Sequence, residues 1–332
     1  MLMKKVVCIA AKIKKALAPL IEDKLSGCEV IWLEELDAEA RRKAILRSDI
    51  MLASLLTVEL SAEEKKLLGR LEMVQTMSAG VDQIDFSTLP ENVNLYSNTG
   101  GWAHAMAEHA LAMALASTRM LRPQTEALKG GRFDIYGYPM RLLSQCTTLV
   151  VGFGGIGREA ARLFKAMGSH VQAVGRSAPQ HDLLDRGWAM ADFEKALPEA
   201  DIVLLSLPST GLTHHLMNAR TLSLMKDDAT LINVARAGLI DHDALEAHLR
   251  AHPRFFAALD VWWQERSAYP ANGDSLLSLP NVIGTAHNSY ASPTAAAEAA
   301  ENALGNILDF IAGRPVKGRA AISEYTSQKK GE

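Results

Sequence analysis

The sequence predicts an α/β protein made of two doubly wound parallel-sheet domains. Three observations predict it. Short apolar runs alternate with helical stretches along nearly the whole chain, the pattern of repeated βαβ units. One of these runs, Leu149-Val150-Val151, passes directly into glycines spaced GxGxxG and then into a helix. The 332 residues, 48% of them hydrophobic, are enough for two packed cores.

The elements follow in order. Val6-Ala10 reads as the first strand, since the apolar run after Lys4 and Lys5 is too short for the core of a secretory signal. Strands are then expected at Glu29-Trp32, Ile50-Leu55, Met73-Thr76 and Asn94-Tyr96, with helices at Ala38-Arg47 and Ser61-Leu71 between them. This first half has no phosphate loop of its own, so it is expected to be a separate open-sheet domain that presents substrate. The most apolar segment, Ala103 to Leu121, carries Glu108, His109 and Arg119 and therefore reads as a buried helix, bridging from about Trp102 to the second domain, and not as a membrane span.

The glycine loop comes next. Gly152 permits a tight turn, Gly154 lets backbone approach phosphate oxygens, and Gly157 lets helix pack closely on strand, with Phe153, Gly155 and Ile156 completing the turn. An amphipathic helix to Gly168 and a strand at His170-Arg176 supply the context that a bare motif lacks, so the loop reads as a dinucleotide site. Strands at Asp201-Pro208, Ala229-Val234, Phe256-Val261 and Asn281-Thr285 continue the sheet. Ligands of such sheets bind at the carboxyl ends of strands, which makes Leu207, Pro208, Thr213, Val234, Ala235 and Asp260 cofactor candidates and Arg236, Glu265 and His287 catalytic candidates. Ser292-Pro293 caps an alanine-rich helix to Phe310 that returns to the first domain, Gly313 and Pro315 stop it, and Ser327 to Glu332 reads as a frayed tail.

Composition narrows the function classes. A net charge of -3 with dispersed lysine and arginine gives no electrostatic case for nucleic acid or an anionic membrane, and a small-molecule substrate is favoured. Cys8, Cys28 and Cys146 are odd in number and far apart, which suits reduced thiols in a cytoplasmic protein. His248 and His252 have the spacing of a metal pair, but no third ligand is apparent; they read as surface residues and no metal is predicted.

In their order along the chain these signals resemble the D-isomer-specific 2-hydroxyacid dehydrogenases. The resemblance rests on Ser78-Ala79-Gly80-Val81-Asp82, Ala107-Glu108-His109, the Gly152 to Gly157 loop, Asn233-Val234-Ala235-Arg236-Ala237-Gly238, Leu259-Asp260-Val261-Trp262 and Gly284-Thr285-Ala286-His287. It implies a flavodoxin-like substrate domain over 1–99 and 289–332 and a Rossmann dinucleotide-binding domain over 100–288. It also implies a homodimer built through the cofactor domain, with Leu121 to Leu143 as an arm.

The chemistry of 2-keto acid reduction gives the candidates roles, and the resemblance assigns the same ones. Arg236 offers a planar fork to carboxylate and keto oxygen together. His287 donates the proton in reduction and accepts it in oxidation. Glu265 would orient the imidazole and favour its charged form, although Arg266 follows it where the family usually has proline, and an insertion before Pro270 could displace the match. Trp262 and Trp263 replace the commoner phenylalanine pattern and read as core or as pocket wall. Ser78, Ala79, Gly80 and Val81 would bind the substrate carboxylate through backbone N–H groups, or form a plain strand-to-helix turn.

The cofactor is read from the residues at the end of the strand that follows the glycine-loop helix. An NAD-selective site carries Asp or Glu roughly 20 residues beyond the glycine loop, whereas this chain has Gly175-Arg176-Ser177 there. Arg176 and Ser177 can pair with a 2′-phosphate, so NADP(H) is preferred; an arginine that only stacks on adenine would leave NAD(H) usable as well. The leading expectation is reduction of glyoxylate or hydroxypyruvate. The rivals are a non-catalytic NAD(P)-sensing binding protein and an NAD-linked enzyme oxidising a one-carbon or inorganic acid, the latter disfavoured by Arg176 and Glu265.

Overall fold

The computed structural model describes residues 4–13, 15–56 and 58–326. The expected tail, Ser327 to Glu332, lies outside the described residues. The chain divides into two compact units, one within Met1–Trp102 and Ser292–Glu332 and the other Ala103–Ala291.

In the first unit the strands β1 (Val6–Ile9), β2 (Glu29–Trp32), β3 (Ile50–Ala53), β4 (Met73–Thr76) and β5 (Asn94–Tyr96) form a parallel sheet in the order β2-β1-β3-β4-β5. This is the flavodoxin-like order. Strands β1, β3 and β4 are buried along their whole length, as strands covered on both faces must be; β1 and β3 accordingly read as unbroken apolar runs, while β4 buries Gln75 and Thr76 as well. The pleat sends Met51 and Val74 to one layer with Leu33, Ile45 and Leu95. It sends Ile50, Leu52 and Met73 to the other, against Ala299, Ala303, Leu304 and Ile307. Those four belong to the helix Pro293–Ile311, whose alanine face allows close approach to the sheet. Ser292 caps it, accepting the Ala295 N–H at 3.0 Å.

The second unit holds a seven-stranded parallel sheet of β6 (Thr147–Val151), β7 (His170–Gly175), β8 (Arg186–Ala189), β9 (Ile202–Leu205), β10 (Thr230–Asn233), β11 (Phe256–Leu259) and β12 (Val282–Gly284). Their order is β12-β11-β10-β9-β6-β7-β8. From β6 the chain builds outward to β8, then returns to the other side of β6 and builds outward to β12. The order therefore reverses between β6 and β9, and the carboxyl ends of those strands mark the switch point at which such sheets bind ligands. The glycine loop leaves β6 at that position.

Three elements differ from the sequence expectation. Ser61-Leu71 is not one helix: Ser61 and Glu64 form a capping box on the short helix Ala62–Lys65, and a 3-10 turn at Leu68–Arg70 follows around Gly69, which contributes nothing to holding a helix together. The apolar run from Ala103 breaks where Met120 adopts φ 54°, so that Ala103–Thr118 and Leu121–Lys129 are separate helices. Strand β8 was not foreseen because Arg186-Gly187-Trp188-Ala189 shows little apolar alternation. Its glycine is required, since a Cβ on Gly187 would lie 1.9 Å from the Pro179 carbonyl oxygen.

Candidate active site

The glycine loop has the geometry that an anion site requires. Gly152 has φ 99°, and a Cβ there would lie 2.9 Å from Leu207, so the turn needs glycine for both conformation and space. A Cβ on Gly157 would lie 2.0 Å from the Gly152 carbonyl oxygen, which sets how closely the helix Gly155–Ala166 packs on its own loop. Gly154 is different. It is exposed, has ordinary backbone angles (φ -84°, ψ -154°), and faces open space, yet it caps the helix without any side-chain hydrogen bond. A twelve-residue helix thus presents its first N–H groups and its positive dipole end beside a place where only a side chain is missing. These residues fit a dinucleotide pyrophosphate.

The remaining candidates line up along the carboxyl edge of the same sheet. Past β7, Arg176 and Ser177 are exposed, and the loop folds back so tightly that a Cβ on Gly175 would meet the Ser177 carbonyl at 2.8 Å. Phe153 is half-buried, with the Arg158 guanidinium 5.6 Å from its ring centre and the His181 ring 5.5 Å away, edge-on. Past β9, Leu207 is buried, and Thr213 folds the next turn by donating to Pro208 O at 2.8 Å while accepting from Thr210 N at 2.8 Å. Past β10, Val234 and Ala235 are buried and Arg236 emerges. Asn233, fully buried, sets that turn: its side chain accepts from Ala235 N at 3.0 Å and donates to Arg236 O at 2.8 Å.

Glu265 and His287 come together. His287 Nδ1 is 2.8 Å from Glu265 Oε2, and the other carboxylate oxygen accepts the Trp262 N–H at 3.0 Å. A carboxylate can only accept, so Nδ1 carries the hydrogen and Nε2 is the nitrogen that the carboxylate does not take. The extra residues before Pro270 do not separate the pair, because Arg266 takes φ 57° and begins a 3-10 turn immediately after Glu265. His287 itself has φ 50°, a left-handed conformation that costs an L-residue about 1–2 kcal/mol and must be held by its surroundings.

Asp260 provides much of that hold. It is fully buried at the end of β11, and it accepts from Thr285 Oγ1 at 2.6 Å, Asn288 N at 3.0 Å and Ser289 N at 3.1 Å. Trp262, 7% exposed, donates its indole N–H to Thr285 O at 2.8 Å, and Trp263, half-buried, donates to Ile240 O at 3.1 Å. Both tryptophans therefore brace the segments that carry the candidates. Arg236, Glu265 and His287 follow β10, β11 and β12, three consecutive strands; at roughly 4.8 Å per strand the outer two turns start about 10 Å apart. That spacing suits one small ligand held by long side chains.

In the first unit, Ser78, Ala79, Gly80 and Val81 follow the carboxyl end of β4. Ser78 Oγ lies 2.9 Å from Ser54 O and 2.7 Å from Gly80 O, Thr76 Oγ1 donates to Ser78 O at 2.7 Å, and Val81 is buried. The turn is well anchored, and the first three residues stay partly exposed.

Two residues expected on the surface are not simply there. His248 stacks on His252 with ring centres 4.1 Å apart and meets Phe255 edge-on at 4.6 Å, and its buried Nε2 has no hydrogen-bond partner among the described residues. The helix His242–Ala251 turns Leu245 and Leu249 into the core, and His248 lies on the edge of that face. Burial, then the neighbouring His252, lower its pKa to about 4. Among the described residues no cluster of three or more His, Cys, Asp or Glu could hold a metal ion. No described helix is long and apolar enough to cross a membrane.

Residues 111–289 match the family model "D-isomer specific 2-hydroxyacid dehydrogenase, NAD binding domain". The chain belongs to this family. Among curated relatives, it is 31% identical over 304 residues to D-3-phosphoglycerate dehydrogenase 2 (chloroplastic) of Arabidopsis thaliana, covering 89% of this chain and 48% of that protein. It is 29% identical over 255 residues to a hydroxypyruvate reductase of Thermotoga maritima, covering 76% of this chain and 82% of that one. The chain spans about half the length of the phosphoglycerate dehydrogenases it matches. Among solved structures, a D-isomer specific 2-hydroxyacid dehydrogenase family protein from Aeromonas salmonicida superposes with a TM-score of 0.78 at 27% identity, covering 96% of this chain and 99% of that one. The fold is that of the family: two parallel-sheet α/β domains, one a Rossmann NAD-binding domain.

Proposed function

We propose that the chain is a nicotinamide-dependent D-2-hydroxyacid dehydrogenase that works as a 2-keto acid reductase, with glyoxylate and hydroxypyruvate as the leading substrates. The observation that carries this reading is the His287–Glu265 pair at 2.8 Å, set two strands from Arg236 on the edge that also bears the glycine loop. Arg236 takes the substrate carboxylate and keto oxygen in its planar fork, drawing electron density from the carbonyl carbon. A nicotinamide cofactor held by the glycine loop would supply the hydride. His287 Nε2 delivers the proton to the forming alkoxide, and Glu265, holding Nδ1–H, keeps the ring aimed. Ser78, Ala79, Gly80 and Val81 are the proposed substrate-binding residues, through backbone N–H groups.

NADP(H) is the preferred cofactor in this reading, because Arg176 and Ser177 stand at the end of β7 where a 2′-phosphate-excluding carboxylate would otherwise be. Gly152, Phe153, Gly154, Gly155, Ile156 and Gly157 would hold the pyrophosphate, and Leu207, Pro208, Thr213, Val234, Ala235 and Asp260 would line or support the rest of the site. A homodimer through the NAD-binding unit is supported by exposed apolar side chains at Leu121, Leu128, Phe133, Ile135, Tyr136 and Leu142. A cytoplasmic setting is supported by three free cysteines. Purified protein assayed against a panel of 2-keto acids with NADPH and NADH separately tests the reading. Loss of NADPH absorbance with glyoxylate or hydroxypyruvate supports it, and no turnover of any 2-keto acid with either cofactor contradicts it.

A further inference from the structure

The segment Ala107-Glu108-His109 has no part in the chemistry described so far, yet His109 reaches the loop that carries His287. It lies in the helix Ala103–Thr118 with its side chain 24% exposed, and its Nε2 is 3.0 Å from Thr285 Oγ1 and 3.9 Å from Asp260 Oδ1. The direction of each hydrogen bond can be worked out. Thr285 has one hydroxyl proton and stands 2.6 Å from an oxygen of Asp260, which as a carboxylate only accepts. That proton therefore goes to Asp260, the threonine oxygen is left as an acceptor, and His109 must offer Nε2–H.

We propose that His109 is a positioning residue for the reaction: through Thr285 and Asp260 it holds the 285–289 loop in the form that keeps His287 on Glu265. Asp260 takes the backbone N–H groups of Asn288 and Ser289, and Thr285 N donates to Leu259 O at 3.0 Å, so the loop is fastened on both sides of His287. His287 sits between these fastenings in the left-handed region, which an isolated loop would leave. A phenylalanine or methionine would fill the volume of His109 equally well. With the Thr285 proton committed to the buried carboxylate, only a side chain with a donor satisfies the threonine oxygen, and that contact ties the helix to the loop.

The proposal rests on His287 being the proton donor, and its test separates the two. In the full chain, His109→Phe is expected to lower kcat for keto-acid reduction about fivefold, the loss of one net buried hydrogen bond, while KM for the cofactor stays within about twofold. His109→Gln, which keeps an N–H at similar reach, is expected to recover most of that loss. A second readout needs neither turnover nor cofactor: in the proton NMR spectrum of the protein without ligands, the Nδ1–H signal of His287 bonded to Glu265 is expected to be sharp in the wild type and in His109→Gln and broadened in His109→Phe and Thr285→Val. Wild-type kcat and an unchanged signal in His109→Phe would overturn the proposal, as would a loss that His109→Gln shares in full. If His287→Ala retains the wild-type rate, the reading of His287 fails instead.

Discussion

Gly154 and Gly157 sit three residues apart in one loop, and the structure assigns them opposite sensitivities. An alanine Cβ at 157 would stand 2.0 Å from the Gly152 carbonyl oxygen and 3.0 Å from Ser206 Oγ, against a normal carbon–oxygen contact of more than 3 Å, so helix and loop must separate by about 1 Å. Overpacking of that kind costs about 1–3 kcal/mol, and here it falls on backbone that cannot rotate aside. Gly157→Ala is thus expected to lower folding stability by at least about 2 kcal/mol. At 154 the same Cβ meets open space at φ -84°, so Gly154→Ala is expected to cost no more than about 1 kcal/mol, the preference of a helix N-cap for glycine over alanine. Its main cost should fall on the ligand, because the methyl group occupies the approach of a phosphate and removes at least one hydrogen bond to a charged oxygen, about 1.5–3 kcal/mol or roughly 10- to 150-fold in Kd. Urea denaturation and fluorescence titration with NADPH measure the two quantities on the same preparations. A Gly154→Ala protein with wild-type stability and wild-type NADPH affinity would refute the assignment of this loop to pyrophosphate.

Two further outcomes follow from the same structure. Arg176→Asp should weaken NADPH by about 10- to 150-fold, since it removes a charge-assisted partner of the 2′-phosphate and adds a like charge, and should leave or improve NADH; competitive titration with both cofactors checks it. His248 is neutral in the folded protein down to about pH 4, whereas an unfolded histidine protonates near 6.5, so below that pH the unfolded chain binds the extra proton. The stability it contributes is complete above pH 6.5 and is lost as pH falls toward 4. The ceiling is about 3 kcal/mol at 1.36 kcal/mol per pH unit, reduced to about 1–2 by the ring's partial contact with water. Thermal melts of wild type and His248→Leu at pH 7, 5 and 4 are expected to diverge only in acid, with the variant less affected.

What could be read from the sequence divides by how local its cause is. The strands β1, β3, β9 and β11 are legible because burial on both faces leaves unbroken apolar runs, and the glycine loop is legible because three glycines answer to three local demands. Arg236 is legible as the first polar side chain past β10, and His287 as the first ionisable one past β12. Strand β8 is not, because its glycine answers to Pro179, which packs on it from the preceding loop. The roles of Asn233, Thr285 and His109 are likewise hidden. Asn233 looks like an ordinary turn residue until its two backbone partners are seen, and Thr285 and His109 are 176 residues apart, with no local pattern to join them. The surface reading of His248 fails for a related reason, since Phe255, beyond the end of its helix, folds back against it.

The central claim is that a guanidinium and a carboxylate-held imidazole act together on a keto acid beside a nicotinamide. Stopped-flow mixing of NADPH-loaded protein with glyoxylate or hydroxypyruvate, comparing wild type with Arg236→Ala and His287→Ala, tests it most directly. The account predicts rapid loss of NADPH absorbance in the wild type and a fall of at least about a hundredfold in each variant, the lower end for a general acid, with NADPH still bound. Either variant oxidising NADPH at close to the wild-type rate would contradict it.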